Sequence, residues 1–98
     1  MMRWWRALVA WLRDRRAKRD RHDDLRVLRA LTMHRTSSGE MVPATDGIVA
    51  WFAGIPLHRA VGSLSRLVAD GQVLRIWDDR DGRLRYRITG SRLMGVER

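Results

Sequence analysis

"GQVLRIWDDRDGRLRYRIT", residues 71–89, is the stretch from which the rest of the chain can be read. Two segments alternate in the manner of strands on either side of "DRDG", the signature of an antiparallel hairpin. In the second segment, period-two alternation sends Leu84, Tyr86 and Ile88 to one face and Arg83, Arg85 and Arg87 to the other. Closing the hairpin through a four-residue "DRDG" loop or through the shorter "DG" turn gives the same facing, with Val73, Arg75 and Trp77 set against Leu84, Tyr86 and Ile88. One side is greasy and the other is a row of guanidiniums. A bare two-stranded hairpin is only marginally stable, so the greasy side must fold back on helices.

Those helices lie upstream. Over 57–70, Val61, Leu64, Leu67 and Val68 follow a 3.6-residue period, while His58, Arg59, Gly62, Ser63 and Arg66 lie away from that stripe, and Gly71 ends the helix. Pro56 suits the first turn of this helix and cannot continue the one before it. The preceding helix, "GIVAWFA", takes Thr45 or Asp46 as its cap and turns Ile48, Val49 and Phe52 inward, with Trp51 also expected in the core; "GIP" at 54–56 stops it. "RTSSGE" at 35–40 is loop chemistry, and "MVP" after it suits a very short strand. Further back, Asp23 or Asp24 caps a helix that presents Leu25, Leu28 and Leu31 on one face, flanked by Val27 and Thr32, and ends near His34. At the start, Trp4, Leu8 and Trp11 recur at helical spacing with Trp5, Val9 and Leu12 on an adjoining stripe, making residues 3–21 an amphipathic arm. "RDRRAKRDRHDD" then either continues that helix in solvent or links it to the next. The division is an N-terminal Trp/Arg-rich arm, 1–22, and one domain, 23–98.

Three helices, the last two joined by a tight Gly-containing turn, followed by a hairpin with a basic outer surface, is the order of a winged helix-turn-helix. The fold class expected is therefore α+β: a three-helix core, a two-stranded wing, and an extra N-terminal amphipathic helix. "TDGIVAWFAGIPLHRAVGSLSRLVADGQVLR" resembles the core of PadR-type and MarR-type bacterial regulators, with an apolar second helix, a Gly-x-Pro turn, a third helix with paired leucines, and Gly-x-Val-x-Arg entering the wing. "YRIT" followed by "GSRLMG" is similar to the close of that wing and the start of a C-terminal helix. The resemblance covers residues 23–94, roughly three quarters of the chain. It departs from those families in the long C-terminal dimerisation helix that they typically carry.

The resemblance implies that the helix over 57–70 enters the major groove of double-stranded DNA and that the wing, 73–89, lies on the backbone. Carried over by position, His58, Arg59, Ser63 and Arg66 face DNA from the helix and Arg80, Arg83, Arg85 and Arg87 from the wing. Arg59, Ser63 and His58 would read sequence while the wing arginines hold phosphate. A small transcriptional regulator is the function this implies. Replication or recombination is a second DNA-binding role that fits equally.

Composition supports an anionic partner independently. The 98 residues carry a net charge of +9, from nineteen arginines and one lysine against nine aspartates and two glutamates. Nucleic acid is the leading partner, since Arg pairs with phosphate through a bidentate fork. The rival is a module in which the Trp-rich arm docks on a protein or a membrane surface and the winged fold is only a scaffold. For that arm, packing against the domain or against a second subunit through Trp4, Leu8 and Trp11 is the plainer expectation.

Other chemistry is excluded or thinly supported. Cysteine is absent, so disulfides, thiolate metal sites and thiol nucleophiles are ruled out, and a cytoplasmic location is expected. The longest apolar runs, 7–12 and 47–57, fall short of the ~20 residues that cross a bilayer. His22, His34 and His58 are too scattered for a metal motif, and Asp78, Asp79 and Asp81 with Gly82 fail calcium-loop spacing. Ser63 and Ser65 beside Gly62 do not make a nucleophile elbow, and no phosphate-binding glycine pattern occurs. The expectation is a non-enzymatic protein with no cofactor and no metal.

Overall fold

In the computed structural model, which describes residues 2–89, the chain forms three helices and a hairpin: α1 (Met2–Met33), α2 (Asp46–Ala53), α3 (Leu57–Ala69), β1 (Val73–Asp78) and β2 (Arg83–Ile88). This α+β layout of three helices and a two-stranded antiparallel hairpin is compatible with the winged-helix order. The C-terminal helix start expected at "GSRLMG" lies outside the described residues.

α1 differs from the expected pair of helices. No separate N-terminal helix precedes the first core helix; the 32 residues from Met2 to Met33 are one continuous element, and neither Asp23 nor Asp24 acts as a cap. Between Arg13 and Arg21 the chain consists of Arg, Ala, Lys and Asp, mostly good helix formers, and an Asp14–Lys18 pair at 3.3 Å spans one turn. Both aspartates spend their carboxylates on α3 instead of on a helix end. The division between arm and domain is thus one of burial: side chains before Asp23 face mainly solvent, whereas Asp23 is 1% exposed.

The core gathers Val27, Ala30 and Leu31 of α1, Val49, Ala50 and Ala53 of α2, Ala60, Leu64 and Leu67 of α3, and Ala44, Ile55, Val73, Tyr86 and Ile88 around them. Four apolar side chains of the helices expected in the interior are elsewhere. Leu25 is exposed because the inward stripe of α1 runs through Val27, Ala30 and Leu31. Trp51 is 78% exposed and Phe52 is exposed too, since the buried face of α2 runs through Val49, Ala50 and Ala53. On α3, Val61 is exposed and Ser63 is buried, a displacement of the stripe onto Ala60, Ser63, Leu64 and Leu67.

The turn between α2 and α3 follows the local chemistry. Thr45 is extended at φ −72° and its Oγ1 accepts from the Ile48 N–H at 3.4 Å, capping α2. Gly54 ends α2 at φ 70°, a left-handed conformation that glycine adopts without a Cβ clash, and its N–H donates to the Ala50 carbonyl at 2.9 Å. Pro56 then sits immediately before the first residue of α3.

The hairpin has the register that alternation predicts: Val73 opposite Ile88, Arg75 opposite Tyr86, Trp77 opposite Leu84. Of the two loops considered, the four-residue form is adopted, over Asp79–Gly82, with Gly82 at φ 66° donating its N–H to the Asp78 carbonyl. The very short strand expected at "MVP" is not formed; isolated bridges stand at Met41, opposite Arg35, and at Ala44. At the second of these, the Ala44 N–H donates to the Tyr86 carbonyl at 3.0 Å and the Tyr86 N–H returns a bond to the Ala44 carbonyl at 2.8 Å. At Tyr86, β2 is consequently flanked by β1 on one side, with Arg75 opposite, and on the other by the segment before α2, which takes both of these Tyr86 backbone hydrogen bonds. Near the helices the inner face is sealed by Val73, Tyr86 and Ile88, while Trp77 and Leu84 at the far end remain exposed.

Candidate nucleic-acid interface

β2 carries Arg83, Arg85 and Arg87 on its outward face, level with Asp78, Ile76 and Leu74 of β1. The three are not equivalent. Arg83 and Arg87 are exposed and form no ion pair among the described residues. Arg85 donates from Nε to Asp78 at 3.0 Å and from a terminal nitrogen to Asp81, and so is spent on clasping the turn. Its guanidinium is held above its ordinary value chiefly by the bond to Asp78. Asp78 is held below the usual carboxylate value, first by the Arg80 backbone N–H and then by Arg85. Arg80 itself stands in the loop with a side chain 95% exposed and a loose 3.6 Å approach to Asp78. The hairpin therefore presents three available guanidiniums, Arg80, Arg83 and Arg87, on a backbone pinned by the fourth, Arg85.

α3 is arranged differently from the expectation that Arg59, Ser63 and Arg66 face outward together with His58. Positions 59, 63 and 66 fall on one side of the helix, and that side is turned towards α1. Arg59 forks onto Asp23, Nε to Oδ2 at 2.9 Å and a terminal nitrogen to Oδ1 at 2.5 Å. Ser63 is fully buried and donates to Asp24 Oδ1 at 2.5 Å. Arg66 donates to Asp24 at 2.8 Å and approaches Asp20 at 3.7 Å. The Arg59 hydrogen bond is the main reason Asp23 is held below its ordinary value, against the opposing pull of burial. Such charge-assisted forks fix both partners and align α3 on α1.

His58 is thus the one of these four α3 residues that faces solvent openly, and beside it stand Val61 and Ser65, neither of which periodicity marked as a surface residue of interest. The sequence does hold a signal for the clamp. Asp20, Asp23 and Asp24 are spaced i, i+3, i+4, the acidic complement of Arg59 and Arg66, but nothing local says that the two helices meet. A second residue missed is Trp77. At the exposed far end of the apolar side of the hairpin, it borders an open groove between the hairpin tip and the start of α2, with Thr45, Gly47, Arg83 and Leu84.

No protein-family model matches the chain, and no curated protein matches it significantly.

Proposed function

We propose that the chain is a winged helix-turn-helix protein that binds double-stranded DNA, with affinity led by the phosphate backbone, in the manner of a small regulator of transcription. The role is one of binding, not catalysis. The observation that carries this reading is the set of three unpaired or loosely paired guanidiniums, Arg80, Arg83 and Arg87, on a rigid hairpin that follows α3 after a three-residue link. The net charge of +9 adds long-range attraction to any polyanion.

The tied state of Arg59, Ser63 and Arg66 changes the division of labour. Direct base contact by these residues would compete with Asp23 and Asp24, so base reading falls first to His58 and Ser65 on the outward face of α3. Sequence preference should then be modest compared with phosphate affinity. Selection from a random duplex library, followed by titration of the enriched and the unselected duplex, tests this. Binding to both, with a small margin for the enriched site, is expected. Failure to bind any duplex at low salt overturns the proposal.

A further inference from the structure

The arm of α1 has an apolar face that nothing among the described residues covers. Trp4 is 64% exposed, and Trp5, Trp11 and Leu12 are each about half exposed, with Leu8 slightly less so. Of the two plainer expectations, packing against the domain and packing against a second subunit, the first is not met at Trp4, Trp5, Leu8, Trp11 or Leu12. At ~1.5 Å per residue the part of α1 before Asp23 projects roughly 30 Å, consistent with a molecule 60 Å long and 21 Å in its narrowest direction.

We propose that this face of the arm lies on an anionic lipid bilayer surface, with the tryptophans at headgroup depth. Charge chooses between the two remaining occupants, a second copy of the chain and a lipid surface. From Arg3 to Arg13 the arm has three arginines and no acidic residue; the first carboxylate is Asp14, already paired with Lys18. A helix pair built on residues 3–13 of two such arms would have no acidic side chain within that stretch to set against its arginines, the arrangement that normally specifies a paired seam. An anionic surface supplies that charge in quantity. On the helical wheel Arg3, Arg6 and Arg13 lie opposite the apolar face, and the stripe itself passes into Arg15, Arg16 and Arg19 beyond Leu12. Arg15 already stacks over the Trp11 ring at 4.8 Å from its centroid. An apolar face rich in Trp and Leu, a basic opposite face and low overall hydrophobicity define a helix that lies in an interface and does not cross it. No helix among the described residues is long and apolar enough to cross.

The test uses the full chain with vesicles of equal parts phosphatidylglycerol and phosphatidylcholine, vesicles of phosphatidylcholine alone, and a variant carrying Trp4→Gln, Leu8→Gln and Trp11→Gln. These side chains support no core residue, and an unchanged thermal transition checks that. Expected are co-sedimentation with the anionic vesicles, a blue shift of tryptophan emission, and an affinity lower by about tenfold or more in the variant. Binding to duplex DNA should be the same in both proteins. Absence of vesicle binding overturns the proposal, as does equal vesicle binding by the variant, which would trace it to the wing arginines. Concentration-dependent dimerisation abolished in the variant, without lipid affinity, would assign the face to a second copy.

Discussion

On the proposed DNA-binding reading, replacing Arg80, Arg83 and Arg87 together by Gln isolates the phosphate contribution of the hairpin. Each phosphate neutralised by a cation contributes about 0.9 to the slope of log affinity against log salt, so three available guanidiniums should account for about 2.7 of the slope. Between about 50 mM and about 200 mM salt, a slope difference of that size makes the wild-type affinity fall roughly fortyfold more than the affinity of the variant. Anisotropy of a labelled duplex across a salt series measures both slopes. Arg85→Gln alone is the control that the structure supplies, because its guanidinium is engaged by Asp78 and Asp81. It should lower the melting temperature of the hairpin region while leaving the slope nearly intact. A triple variant with an unchanged slope, or an Arg85→Gln slope reduced as much as that of Arg83→Gln, would refute the assignment of free and spent arginines.

The α1–α3 clamp predicts an asymmetry: Arg59→Met should lower the melting temperature more than Asp23→Asn, because it strands a buried carboxylate whereas the reverse change leaves a partly exposed guanidinium with access to water. The pH dependence has a definite sign. Asp23 has a folded-state pKa below its unfolded value, so its contribution is fully present above the unfolded value and is lost as pH falls through the lowered folded one. Urea midpoints on the acid side should therefore drop more steeply for the wild type than for Asp23→Asn. Gly54→Ala forces a Cβ into a left-handed conformation and should cost about 1–2 kcal/mol in chemical denaturation. Leu64→Ala empties a fully buried position between the three helices and should cost about 2–5 kcal/mol by the same measurement.

The chain itself determines its elements and the hairpin register. The residues that set them act within a few positions: Thr45 on the Ile48 N–H, Gly54 and Pro56 between two helices, alternation across β1 and β2, Gly82 in the turn. Such interactions are short in sequence and can be read without knowing what packs where. The continuity of α1 is not set in this way, because an aspartate before an apolar run signals a cap just as well as it supplies an ion-pair partner. Nor is the side of a helix that faces inward. Ala60, Ser63, Leu64 and Leu67 satisfy the helical period as well as the more apolar set with Val61 does, and the choice was made by the closeness of α1. The same holds for the candidate interface. That Arg83 and Arg87 point outward follows from the pleat of one strand, but that Arg59 and Arg66 are neutralised depends on carboxylates some 36 to 46 positions away. Side-chain facing along one element is dictated locally, whereas the partner a charge finds is a property of two elements brought together, and only the tertiary fold brings them there.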